Sequence, residues 1–327
     1  MTPHGTGWRP IATLSVLRVR ALLLDRTRAF FARRGLLEVD TPVLSRAAVS
    51  DPNIDSLRTT VTGDAGRTRY LHTSPEYAMK RLLAAYRSDI YQICKVFRDA
   101  EAGRHHNPEF TLVEWYRIGC DMHRLMDETA ELLAELFAGH RPLGPPERLS
   151  YRDAVLARTG VDPFKDDLDR IRQRIRESGV DLPAGLGDER GPWLDLLSAT
   201  CVGPWLGAGR VTFIHDFPPE LAALARIRPG RPPVAERFEA FLDGVELANG
   251  FHELADAAEQ RARFGAELAA RERAAKSTAP LDERLLAALE HGLPDCSGVA
   301  MGFDRVVMLA TGARCIDEVL SIAFDDA

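Results

Sequence analysis

The sequence predicts an α+β fold in which a mainly antiparallel sheet is packed with helices. Three observations carry this. Short alternating runs that read as strands come in neighbouring pairs, joined by hairpin-like loops rather than helical crossovers. Asp243-Gly244 stands between two apolar runs, a strong signal for a two-residue hairpin. Amphipathic and charged helical patterns lie at the start, the middle and the end of the chain. The 327 residues, 45% of them hydrophobic, suffice for one large core or two unequal ones.

Residues 14–34 form an amphipathic helix: Leu17, Leu24 and Phe31 recur every seven residues, and Val16, Leu23 and Phe30 make the adjacent row. Gly35 stops it. The next segment runs extended into Pro42, because a residue before proline avoids the helical region. Strands are expected at 69–72, 90–98 and 109–117, and a helix at 121–138. Residues 141–147 read as a Pro/Gly break. Residues 160–210 are helical and polar, interrupted by Gly and Pro, and read as an insertion without identifiable chemistry. Strands resume at 211–217, 236–242 and 245–251. Residues 256–276 make a charged helix, most simply a solvated face. Near the C-terminus a strand, GVAMG, runs into a helix, FDRVVMLATG.

Composition narrows the function classes. A net charge of -6 shows no basic excess for holding RNA phosphates and argues against a dedicated nucleic-acid domain. The five cysteines, at 94, 120, 201, 296 and 315, form no CxxC pair, so they read as scattered buried thiols. The N-terminus has no basic stretch leading into an apolar one, and no apolar run is long enough to span a bilayer. The expectation is a cytoplasmic protein with no membrane partner.

Three segments carry chemistry. From Phe97 to Arg117, two strands flank a polar loop with Arg104, His105 and His106. Period two puts Phe110, Leu112, Glu114 and Tyr116 on one face, with Arg98 at the loop's root. This pattern fits a nucleotide site, with an aromatic for a base, cations for phosphate and a carboxylate for an ammonium. It fits a half-buried hairpin with a charged loop equally well. From Arg237 to Leu254, a hairpin turning at Asp243-Gly244 sets Glu239 and Glu246 on one face of neighbouring strands. Two converging carboxylates call for a cation, and oxygen ligands beside polyphosphate point to magnesium. The other reading turns one glutamate to solvent. Asn249 and Glu253 have the opposite parity from Glu246, and reach the same pocket only if the strand bulges or ends near Gly250. From Gly298 to Leu309, small residues allow close approach to the backbone, and Arg305 opens a helix where its fork could meet phosphate, although a Gly-rich strand-to-helix turn is also a common packing device. Ser74-Pro75-Glu76 reads as a helix start with Ser74 as cap.

Together and in this order these segments resemble the class II aminoacyl-tRNA synthetases, lysyl branch. GLLEVDTPVLS is similar to their motif 1, FRDAEAGRHHNPEFTLVEWY to motif 2 and GVAMGFDRVVML to motif 3. HTSPEY, RFEAFLDGVELANGFHEL and DAAEQRARF also match the lysyl pattern. Within that branch the chain resembles the elongation factor P–(R)-β-lysine ligases, truncated paralogues of lysyl-tRNA synthetase. Motif 1 begins by residue 35, which leaves no room for an anticodon-binding OB-fold domain. Ala300 replaces the synthetases' motif 3 glycine, and ANGFHEL and PDCSGVA look like the ligases' strings.

The resemblance implies the class II synthetase catalytic fold over residues 1–327, an antiparallel sheet flanked by helices. It implies ATP and Mg2+ as cofactors, with Arg98 on the α-phosphate and Arg305 near the γ-phosphate and adenine. Phe110 would stack on adenine. Glu101, His106, Asn107, Leu247 and Gly302 would complete the ATP site, and Glu239 and Glu246 would hold magnesium. Ser74, Glu76, Glu114, Tyr116, Asn249, Glu253 and Ala300 would bind the amino acid, Glu76 taking one amine and Glu114, Tyr116 and Glu253 the distal ammonium. Motif 2 departs from the family at Ala100, where the synthetases carry glutamate, with Glu101 next in line. The implied partners are (R)-β-lysine or lysine, elongation factor P, and a second copy through motif 1, with no stable tRNA binding. A free-standing enzyme acylating RNA or a small amine is the alternative, and a non-catalytic regulatory paralogue the third reading.

Overall fold

The computed structural model describes residues 8–183 and 185–327. The expectation for the N-terminal residues 1–7 lies outside the described residues. Helix α1, Leu14–Arg33, starts at Thr13, whose hydroxyl accepts from the Val16 amide. It buries the row of Leu23 and Phe30, with Thr27 and Phe31 beside it. Strands β1 (Leu37–Glu38), β2 (Leu44–Ser45), β3 (Arg58–Thr60) and β4 (Thr68–Leu71) lead to helix α2, Glu76–Tyr86. Strands β5 (Ile90–Phe97) and β6 (Glu109–Ile118) form the long hairpin read from the sequence, with Ile90 opposite Tyr116. Then come α3 (Met122–Phe137), β7 (Gly144–Ser150), α4 (Tyr151–Thr159), α5 (Leu168–Glu177), α6 (Arg190–Leu197), β8 (Arg210–Phe217) and β9 (Ile227–Arg228). Strands β10 (Val234–Leu242) and β11 (Val245–His252) turn at Asp243 and Gly244, both at positive φ as a tight hairpin turn demands. Helices α7 (Ala257–Arg273) and α8 (Glu283–Gly292), strand β12 (Cys296–Gly302) and helix α9 (Phe303–Thr311) complete the fold.

The α+β expectation holds. Among the described residues one nine-stranded sheet runs β1-β5-β6-β12-β11-β10-β8-β7, with β9 beside β10. Its interior is antiparallel, while β1 and β7 join its two edges in parallel. One face packs on α1, α3 and α9 through Leu23, Phe31, Trp115, Leu132 and Met301, all buried. The other face opens to a cavity.

Two elements differ from expectation. The Pro/Gly break at 141–147 contains the start of β7: Pro145 and Pro146 sit where its register with β8 slips, on an edge strand that needs no amide donor there. The 69–72 strand joins β2 and β3 in a separate three-stranded sheet. Those strands have two and three residues, too few for any alternation to register. Residues 160–210 fold with α4, β8 and β10 around Tyr151, Val155, Ile171, Trp193 and Phe217, a second core beside the sheet.

A buried ion pair ties three of these elements. Arg20 of α1 reaches Asp304 at the start of α9 (2.6 Å) and donates to the Thr111 hydroxyl of β6 (2.7 Å). The Thr111 amide donates to the same aspartate at 2.8 Å.

Candidate active site

The open face of the sheet floors a cavity of about 910 Å³, lined by every residue that the resemblance assigns to the site. Arg104 of the polar loop is not among the lining residues and donates instead to the Arg314 carbonyl (2.8 Å). The pleat of β6 presents Phe110, Leu112, Glu114 and Tyr116. On β12, next in the sheet, Gly298, Ala300 and Gly302 line the cavity with little or no side chain. Ala300 pairs with Glu114 on one side and Asn249 on the other.

The pairing of β10 and β11 contains the bulge that the sequence left open. Leu242 faces Val245 and Phe241 faces Glu246, but Ala240 faces Ala248. Leu247 is the extra residue, and it reverses the parity of every later position on the strand. Asn249 and Glu253 therefore share the cavity with Glu246, and Glu239 stands directly opposite Asn249.

At one end of the cavity the side chains suit ammonium groups. Glu76, Glu114 and Glu253 converge there, with Glu114 and Glu253 buried. The Ser74 hydroxyl donates to one oxygen of Glu114 (2.7 Å) and the Tyr116 hydroxyl to the other (2.7 Å). Ser74 also accepts from the amide of Glu76, the first residue of α2, at 3.0 Å, but the N-cap position is Pro75, one residue after the expected Ser74. Burial, then the negative charge of Glu76, pushes the Glu114 carboxyl up to about 8. Burial raises Glu253 as well, against the pull of Lys80. Gly298 admits no side chain: a Cβ there would lie 2.3 Å from the Tyr116 ring and 2.6 Å from Glu253 Oε1.

At the other end the groups suit phosphate and a base. The Arg98 guanidinium lies 5.1 Å from the Phe110 ring centre and donates to Glu101 Oε1 (3.4 Å) and the Thr73 carbonyl (3.4 Å). Glu101 thus meets the arginine of motif 2 although Ala100 precedes it. Arg305 donates to the carbonyls of Glu246 (2.8 Å) and His105 (3.2 Å) and meets His106 Nε2 at 2.7 Å. Burial and the Arg305 charge lower the His106 pKa, so its ring is a neutral acceptor. The Asn107 amide donates to the Glu109 carbonyl (2.5 Å), which anchors the loop. Glu239 and Glu246 line the same cavity. Glu239 is raised by burial and by the Glu246 charge, against Arg237.

Several residues in the cavity wall or just behind it went unread in the sequence. Arg237 pairs with Glu239 (2.5 Å), reaches Asn249 Oδ1 (3.3 Å) and anchors on the Leu221 carbonyl (2.8 Å). Its period-two spacing from Glu239 was a usable signal. Lys80 bridges Glu76 and Glu253. Its spacing of four from Glu76 was visible, but its contact with Glu253 was not. Asp195, from the segment read as lacking chemistry, lines the cavity, as does Glu267, which accepts from the Ser50 hydroxyl. Among the described residues no cluster of three or more His, Cys, Asp or Glu side chains is placed to hold a metal alone. No described helix is long and apolar enough to cross a membrane.

A sheet of this order, with an aromatic, two arginines and paired carboxylates on its open face, defines a class II synthetase catalytic domain. The family described as tRNA synthetases class II (D, K and N) matches residues 8–325. The elongation factor P–(R)-β-lysine ligase of Vibrio cholerae serotype O1 is 45% identical over 98% of both chains. Those of Edwardsiella ictaluri and Klebsiella pneumoniae are 46% identical over 98% of both chains. The chain belongs to the class II synthetase family and, within it, to the family of these ligases.

The raised Glu114 pKa has a thermodynamic consequence. The folded protein keeps this proton up to about pH 8, while the unfolded chain releases it near the ordinary value of 4.5. The unfolded state therefore binds fewer protons across that window, and stability falls as pH rises from about 4.5 to about 8. In thermal melts across this range, Glu114→Gln is expected to flatten the fall. An identical pH slope in the variant counts against the assignment.

Proposed function

We propose that the chain uses ATP to activate (R)-β-lysine as an adenylate and transfers the acyl group to a lysine side chain of elongation factor P. One observation carries the reading: a single cavity with ammonium-binding carboxylates at one end and the Arg98 and Arg305 guanidiniums at the other. Ligases named for that activity, 45–46% identical over nearly the whole chain, support it.

In this reading Phe110 stacks under adenine, and Glu101, Asn107, Leu247 and Gly302 border the nucleotide. Arg98 holds the α-phosphate, and Arg305, steadied by His106, meets the phosphate tail. Glu76 binds the inner ammonium. Glu114, Tyr116 and Glu253 bind the distal one, and Ser74 orients Glu114. Asn249 faces the substrate carboxylate. A carboxylate oxygen attacks the α-phosphorus, and pyrophosphate leaves with the P–O electron pair. Arg98 and Arg305 stabilise the charge that builds on the phosphoryl oxygens, already positioned before the reaction begins. The acceptor amine then attacks the acyl carbon, AMP departs with the C–O electron pair, and the amine's proton is lost as the amide forms.

Glu239 and Glu246 fit magnesium, which needs only one or two protein carboxylates because phosphate oxygens and water supply the rest. When bound, the ion supplies electrostatic stabilisation to the phosphates. Glu239→Gln and Glu246→Gln are each expected to lower magnesium-dependent pyrophosphate exchange by on the order of 10²-fold. Near-normal exchange in both variants refutes the metal assignment, and efficient charging of lysine-accepting tRNA by the purified chain refutes the choice of acceptor.

Ala300 stands between Glu114 and Asn249 on the cavity floor. A methyl contact shifts discrimination by about 1–3 kcal/mol. Ala300→Gly is expected to raise kcat/KM for lysine relative to (R)-β-lysine and leave KM for ATP unchanged. An unchanged ratio in exchange assays shows that Ala300 only packs the sheet.

The working form is a cytoplasmic homodimer. Leu14 and Leu22 of α1, Leu37 of β1 and Val43 and Leu44 near Pro42 are exposed, an apolar surface suited to a two-fold contact. Light scattering at micromolar concentration is expected to give twice the chain mass, and a monomer there removes the dimer.

A further inference from the structure

Lys80 is the least expected group at the ammonium end. It lies one turn after Glu76 on α2, and its side chain is 1% exposed. Its ammonium sits 2.7 Å from Glu76 Oε1 and 2.6 Å from Glu253 Oε2. Both oxygens are buried and accept no hydrogen bond from any other group among the described residues. Lys80 therefore holds each of these carboxylates by one oxygen. Glu114, the third, takes hydroxyl donors from Ser74 and Tyr116 and no cation.

The charges of this cluster do not balance. With all three carboxylates ionised, as bound ammonium groups favour, they and the one ammonium give a formal charge of -2 (three negative, one positive); without a bound cation Glu114 keeps its proton at neutral pH. A buried charge is costly unless a counter-charge accompanies it. An acyl group with two ammonium groups brings this cluster to zero. An acyl group with one ammonium leaves a net negative charge out of water. Without Lys80 the cluster would stand at -3, and Glu76 and Glu253, which now share one nitrogen, would repel.

Resting on the function proposed above, we propose that Lys80 is a positioning residue that sets substrate specificity. It fixes the charge of the amine end to suit a two-ammonium acyl group and aligns Glu76 and Glu253 to receive it. Lys80 acts through the two carboxylates and does not touch the substrate. The cation is part of the chain, so the selection is built in before any ligand enters.

The test is pyrophosphate exchange by the full chain with (R)-β-lysine and with 6-aminohexanoic acid, which keeps the distal ammonium and lacks the inner one. Wild type is compared with Lys80→Met and with Lys80→Met/Glu253→Gln, which keeps Glu76 for the inner ammonium. The double variant has two carboxylates and no ammonium, which restores the formal -2. The single variant is expected to raise KM for (R)-β-lysine about 10-fold or more, to leave KM for ATP unchanged, and to lower the preference for the two-ammonium acid about 10-fold. The double variant is expected to melt closer to wild type than the single one and to recover part of that preference. A folded Lys80→Met with the wild-type preference overturns the proposal. So does a folded double variant no more selective than the single one, or failure of both to fold, since charge balance then restores nothing. A wild-type chain inert towards both acids overturns instead the function itself, and this inference with it.

Discussion

Between Ala240 and Phe241 the pairing of β10 with β11 slips by one residue, and the face that β11 turns towards the cavity changes with it. Glu246 lies before the slip, and Asn249 and Glu253 after it. A regular strand would send these two groups to opposite faces of the sheet, because side chains alternate strictly. The extra residue, Leu247, lets one strand serve the arginine-lined end and the carboxylate-lined end of the same cavity. It also sets Glu239 against Asn249, where one arginine, Arg237, holds both.

Burial of charge governs the rest. Both ends of the cavity collect carboxylates out of water, and in each an internal cation is shared among them: Arg237 with Glu239, and Lys80 with Glu76 and Glu253. Helix α2 contributes Glu76 and Lys80 from successive turns of one face, so a local helical contact orients a group that must meet a distant strand. The phosphate end keeps Arg98 and Arg305 tethered to carbonyls, a carboxylate and a neutral histidine. Their forks are aimed without being neutralised outright.

Much of this was legible in the sequence where a pattern is local. The seven-residue rows gave α1, Asp243-Gly244 gave the hairpin, and period two grouped Phe110, Glu114 and Tyr116. Strands β2 and β3 are too short to alternate, and β7 hides behind two prolines that only an edge position tolerates. Parity alone could pose the question of Asn249 and Glu253 but could not answer it, since a bulge leaves no mark in composition. Asp195 and the meeting of Lys80 with Glu253 are products of tertiary packing, invisible to any window along the chain. The resemblance to a family, not spacing, attached a nucleotide and an amino acid to these residues.

Gly298 has a further meaning for how this chain can vary through descent. The Tyr116 ring and Glu253 already fill the space above its α-carbon. Any side chain there must push aside a phenol and a carboxylate at once. Even the methyl of alanine at 298 would disturb both groups while leaving every acidic residue of the pocket in place. The bare α-carbon at that one position is therefore as much a part of the site's shape as the carboxylates themselves.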